Sequence, residues 1–166
     1  LLLENEERRP RAFVAPRWRL VADERAAIDA VLSDAAVDPG AIVLVGSGPE
    51  EAGTPGPLVP CAVESDRPER VALHCEAAFA GWAVLLDSMA AGWSATVDGQ
   101  PAQVVLAEAL VRAVRVGPGA HQVVFTNQTP GLWLGASVSL AGWLGCGLLV
   151  LSLWWRRTRA RLTSAP

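Results

Sequence analysis

The sequence predicts an α+β protein: a mainly antiparallel, β-sandwich-like domain with one short helix, followed by a single C-terminal transmembrane helix. Three observations carry that expectation. Leu132 to Trp155 runs for 24 residues without a charge, and about 20 apolar residues suffice to cross a hydrocarbon core of about 30 Å. Between residues 70 and 128, short apolar stretches alternate with polar positions and are separated by tight-turn signals, the pattern of an antiparallel sandwich. Near the N-terminus a single stretch has helical character, opened by a capping Asp.

Taken in order, residues 1–10 are charged and read as a linker or truncated element. Residues 11–46 read as a β-α-β segment. Its first part, RAFVA and RWRLVA, is two extended pieces broken at Pro16. Asp23 then caps a helix of about ten residues that ends near Ser33. Asp38-Pro39-Gly40 is a turn, and Ala41 to Val45 is a buried strand. Residues 47–69, rich in Gly, Pro, Glu and Ser, read as an exposed loop. Gly46-Ser47-Gly48 lacks the third glycine and the following helix of a nucleotide-binding turn, so it reads as ordinary loop.

Residues 70–128 form the antiparallel β domain. Val71, Leu73, Cys75 and Ala77 alternate with Ala72, His74 and Glu76. Trp82 to Leu86 is a further strand. Trp93, Ala95 and Val97 lead into Asp98-Gly99, the strongest hairpin signal in the chain, with Gln103 to Leu106 expected as the returning strand. Leu110 to Val116 and His121 to Asn127 are expected to pair around Gly117-Pro118-Gly119. Arg112 and Arg115 interrupt the alternation, which predicts a bulge or an edge there.

Residues 132–155 form the transmembrane helix. Trp133 at one end and Trp154 and Trp155 at the other suit the two interfacial belts. Arg156, Arg157, Arg159 and Arg161 follow, in a basic tail over residues 156–166, and arginines at one end only predict that this end is cytoplasmic. The main domain is then extracytoplasmic. Gly135, Ser139, Gly142 and Cys146 share one helical face, and small residues there let other transmembrane helices approach closely. The chain opens at Leu1 and its lone methionine is Met89, and no signal-peptide pattern precedes the domain. The expectation is a C-terminal piece of a longer membrane protein, whose earlier helices carry the domain outward.

Composition narrows the function classes. Residues 1–131 hold ten Arg against seventeen Asp and Glu, a net of −7, and the four tail arginines bring the chain to −3. An acidic domain argues against nucleic acid as a partner, and the lipid bilayer is the partner the apolar stretch implies. The two histidines, His74 and His121, have no neighbouring His or Cys with ligand spacing, so no metal and no cofactor is expected. Asp87, Asp98 and Glu108 are the candidate carboxylates for acid–base work, each with an ordinary strand-end or turn reading beside it. No catalytic constellation emerges. Cys61 and Cys75 could pair in an oxidising exterior and close a loop over the Pro-rich segment. Two unpaired thiols are the alternative, because spacing does not fix geometry. Asn127-Gln128-Thr129 matches a glycosylation sequon but abuts the membrane stretch. Trp82 and Trp93 read first as core, and otherwise as surfaces for glycan contact.

The order of motifs resembles the C-terminal region of bacterial YfhO-like multi-pass membrane proteins, themselves similar to membrane glycosyltransferases that use polyprenyl-linked sugars. The stretches that carry the resemblance are PRAFVAPRWRLVADERAAIDAVLSD, DPGAIVLVGS, and GWSATVDGQPA followed by LVRAVRVGPGAHQVVF, ahead of a last membrane helix. Where that family has an aromatic-rich stretch before Gly-Trp, this chain has Ser88-Met89-Ala90-Ala91. The resemblance implies a parent protein implicated in sugar transfer to cell-envelope polymers or lipids. A polyprenyl-linked sugar or envelope glycan would be the ligand, and this piece would be non-catalytic, since the family's acids lie in its N-terminal membrane half. The alternative expectation is a membrane-anchored structural or interaction module of the envelope with no enzymatic role.

Overall fold

The computed structural model describes residues 9–33, 41–46 and 51–162, with backbone alone for 51, 52, 153 and 156–162. The Asp38-Pro39-Gly40 turn, Ser47 and Gly48, most of the 1–10 segment and the last residues of the basic tail lie outside the described residues. The chain divides into two units, Leu1–Gln128 and Thr129–Pro166.

The first unit holds β1 (Ala12–Ala15), β2 (Arg17–Val21), α1 (Glu24–Leu32), β3 (Ala41–Val45), β4 (Glu51–Gly53), β5 (Val59–Pro60), β6 (Ala62–Arg67) and β7 (Arg70–Ala77). There follow β8 (Gly81–Ser88), β9 (Trp93–Val97), β10 (Gln100–Ala102), β11 (Val105–Ala107), β12 (Val111–Val116) and β13 (Gly119–Asn127). They build an eight-stranded sheet in the order β4-β2-β3-β11-β12-β8-β1-β5 and a five-stranded sheet in the order β10-β9-β13-β7-β6. Among the described strands only β2 and β3 pair in parallel, and α1 lies in the connection between them; this is the α+β, sandwich-like arrangement the sequence predicts. Pro16 separates β1 from β2, since it has no N–H to give a ladder and forces its neighbour out of regular pairing. Asp23 caps α1 through its side chain, which accepts from the Ala26 N–H at 2.8 Å.

The inner faces of the two sheets share one core. Val14, Leu85 and Val114 of the larger sheet meet Val71, Leu73, Val123 and Phe125 of the smaller. The larger sheet has a second core on its other face, with Phe13, Trp18, Ile42, Leu44, Val84 and Ala113. Trp18 and Phe13 belong to the second and seventh strands in the sheet order. They fall in one cluster, so the sheet curls over on itself, as the twist of a wide sheet favours. Ala27 and Ala30 of α1 pack on Val43 in a third, smaller cluster.

Three expectations are corrected. The 47–69 region is largely exposed, but it contains β4, β5 and β6 rather than loop alone. These are the outermost strands of the two sheets. An edge strand leaves half its backbone groups facing water, so it tolerates the Pro and charge that mask its signal. The Asp98-Gly99 hairpin returns at once as β10, with Gln100 opposite Val97. Asp98 and Gly99 both have positive φ, 51° and 78°, as a two-residue type I′ turn requires. The residues expected to return, 103–106, instead lead to β11 in the other sheet. β12 and β13 do not pair with each other: β12 lies between β11 and β8, and β13 between β9 and β7. Both strands turn apolar residues to the shared core, so Gly117-Pro118-Gly119 is a corner that moves the chain between sheets. The bulge expected near the arginines is present between Val111 and Arg112.

The second unit is α2 (Leu132–Leu162). Its stretch Leu132–Ser152 is apolar and long enough to cross a membrane, and none of it is buried within the protein. Two of its serines return their hydroxyl protons to the helix itself, Ser137 to the Trp133 carbonyl and Ser152 to the Leu149 carbonyl, both at 2.8 Å. This satisfies groups that would otherwise be costly in a hydrocarbon surround.

Candidate functional site

The notable chemistry of the β domain centres on β12. Arg112 and Arg115 are three apart on a strand, so they emerge on opposite faces. Each lies over a tryptophan. Arg112 points into the shared core and is only 2 % exposed. Its guanidinium carbon sits 3.5 Å from the centre of the Trp93 ring and 5.6 Å from that of Phe125. One Nη donates to Asp87 Oδ2 at 3.2 Å and the other to the Ser88 carbonyl at 3.3 Å, while Nε is buried without a hydrogen-bond partner. Burial lowers the Arg112 pKa and the Asp87 carboxylate opposes that. An arginine in such a place stays cationic.

Asp87 is shared. Arg11, just before β1, donates to both its carboxylate oxygens at 3.1 Å and reaches Asp66 of β6 in a fork at 2.6 and 3.1 Å. Asp66, Arg11, Asp87 and Arg112 therefore form a chain of alternating sign. It starts on the edge strand of the smaller sheet and ends inside the core under Trp93. Asp66 raises the Arg11 pKa most, with Asp87 next, and Arg11 in turn holds Asp66 below the usual carboxylate range.

On the opposite face, Arg115 lies 4.3 Å from the Trp18 ring centre and 5.7 Å from that of Trp82. The two indoles meet edge to face at 6.2 Å. Arg115 thus caps the second core, with Trp82 Nε1 buried below it and without a hydrogen-bond partner. A third cluster joins two turns: His121 Nδ1 lies 2.7 Å from Asp98 Oδ2. Asp98 first, then the Pro118 and Gly117 backbone, raises the His121 pKa against its partial burial. His121 first, with the Gln122 N–H, lowers that of Asp98. Glu108 sits in the β11–β12 turn at φ 50°, with its carboxylate between Arg9 and the Val43 N–H, both at 3.4 Å.

A disulfide joins Cys61 and Cys75, with S–S 2.07 Å and Cα–Cα 4.4 Å. Cys61 lies between β5 of the larger sheet and β6 of the smaller, so the bond pins the chain where it crosses between them. The expected carboxylates stay apart: Asp87 belongs to the charge chain, Asp98 to the histidine pair and Glu108 to a turn. Trp82, on the larger sheet, packs on the second core and Trp93, on the smaller sheet, packs on the shared core, each against an arginine, and His74 is exposed. Trp133, Trp154 and Trp155 are exposed near the two ends of the apolar helix, and the Arg156 and Arg157 side chains lie outside the described residues. Ser139, Gly142 and Cys146, with Trp143, border a shallow groove on that helix.

Arg11 and Asp66 carry no mark of this role in the sequence, where Arg112 and Arg115 show only as breaks in an alternating pattern. The signal was there in part, since two arginines three apart in an apolar strand must each find a partner. The partners are far away in sequence. Among the described residues no group of three or more His, Cys, Asp and Glu gathers as a metal site would. The charges in the larger chain neutralise one another, and what they do is tie β1, β6, β8 and β12 together. No family model, no curated protein and no solved structure matches this chain.

Proposed function

We propose that this chain is the membrane-attached, non-catalytic end of a YfhO-like multi-pass protein implicated in sugar transfer to cell-envelope polymers or lipids, with its β domain outside the cytoplasm. The observation that carries the reading is an uncharged, wholly exposed helix followed directly by arginines and preceded by a disulfide-bonded β domain. The arginines favour a cytoplasmic C-terminus, and the Cys61–Cys75 bond favours an oxidising compartment for the domain. The sugar-transfer part rests on the sequence resemblance alone. In this reading the domain shapes or covers the acceptor site and leaves chemistry to the membrane half.

A second reading is an anchored interaction module with no part in sugar transfer. It is favoured by the arginines over Trp82 and Trp93, which occupy ring faces that a sugar would need. One experiment separates the two. An antibody against residues 10–128 is applied to membrane fractions of the source cell. A band far above 17.5 kDa supports the multi-pass parent, whereas a band near that mass sinks it and leaves the anchored module.

A further inference from the structure

We propose that His121 and Asp98 form a proton-controlled clasp that fastens the tip of the β9–β10 hairpin to β13 and to the Gly117–Gly119 corner. Both oxygens of Asp98 are used across this junction. Oδ1 accepts from the Gln122 N–H at 2.8 Å, and Oδ2 faces His121 Nδ1 at 2.7 Å. The backbone repeats the link, with the Asp98 N–H donating to the Gln122 carbonyl at 2.8 Å. On its other side the imidazole is closed in: Nε2 is shielded from solvent with no hydrogen-bond partner, and the first carbon of any side chain at Gly117 would lie 3.6 Å from it. A neutral ring that donates Nδ1–H to Asp98 leaves a bare Nε2 lone pair buried against backbone. Protonation turns the Nδ1–H···Oδ2 contact into an ion pair at 2.7 Å, and the Pro118 and Gly117 backbone also favours the charged ring.

Among the described residues, the charge that acts on His121 is that of Asp98. On β7 the register partner of His121 is the disulfide-bonded Cys75, and His74 and Glu76 alternate to the exposed side. On β6, Glu64 is held by the Gln122 side chain at 3.1 Å. The corner is Gly-Pro-Gly, and Arg115 of β12 is stacked on Trp18. The folded state raises the histidine pKa, so its contribution is full below about 6.5 and is lost as pH rises through the raised value. It depresses that of Asp98, whose contribution is present above about 3.9 and is lost as pH falls through the depressed value. The clasp is therefore closed in mildly acidic surroundings and slackens in alkaline ones.

The test uses the full chain in lipid nanodiscs. Its readouts are the titration of the His121 ring by NMR and hydrogen exchange of residues 93–102 at several pH values, corrected for intrinsic rates. The expected result is a His121 midpoint above 6.5 and a several-fold loss of hairpin protection as pH rises through it. Asp98→Asn keeps a residue that favours the type I′ turn and should bring the midpoint down and abolish the pH-dependent loss. His121→Gln should abolish the loss as well, while His74→Gln should leave it intact. A wild-type midpoint at or below 6.5, or the same loss in Asp98→Asn or His121→Gln, overturns the proposal.

Discussion

At Arg112 a cation remains inside a sandwich core because three contributions offset its lost hydration: the Trp93 face, the Asp87 carboxylate and the Ser88 carbonyl. The planar guanidinium serves all three at once. Arg112→Ala should therefore cost about 3 kcal/mol, toward the low end of what breaking a buried pair costs, because Asp87 keeps Arg11 as a partner. Arg112→Lys should recover little of it, because a point charge on a flexible stem cannot stack and fork together. Denaturation midpoints of the three proteins in the same detergent decide this, and equal stability of the lysine variant would show that charge alone matters. The sequence marks Arg112 as an interruption but names neither Trp93 nor Asp87. Those pairings are set by how two sheets face each other, which no local pattern encodes. Asp98 is the opposite: Asp-Gly dictates its turn locally, so its place was legible, while His121 as its partner was not.

Among the elements, legibility follows how local the cause is. β1, β2, α1 and β3 were readable because Pro16, the Asp23 cap and short apolar runs act within a few residues. β4, β5 and β6 were hidden, because edge strands need no strong pattern. The partners of β12 and β13 are not legible because a Gly-Pro-Gly stretch serves a corner as well as a hairpin. The Cys61–Cys75 bond acts at this scale too, closing the β6–β7 hairpin over a separation of 14 residues, at the point where the chain arrives from the other sheet. Replacing both cysteines with alanine should lower stability by about 3 kcal/mol, the loop-entropy value for a ring of this size. The same loss should follow addition of a reductant under conditions that open the bond. A double variant as stable as the parent would mean that the edge strands hold the crossing without it.

For the molecule as a whole, fold class and the apolar helix were the most legible features, since composition and periodicity fix both over long stretches. If α2 spans a bilayer, Leu144→Arg together with Leu148→Arg should add about 6 kcal/mol to the cost of insertion and move the chain out of the carbonate-resistant membrane fraction. Unchanged resistance would refute the spanning reading. The position of β13 bears on how the protein is made. It is the middle strand of the five-stranded sheet, bonded to β9 and β7, yet the last of the thirteen to be synthesised, ending four residues before α2 begins. Until Asn127 has left the ribosome, β7 and β9 each present a bare edge, and the inner core lacks Val123 and Phe125. Domain closure therefore waits for residues that are made just before α2. A stall just upstream of residue 119 would leave a chain with two adhesive edges and an unfilled core.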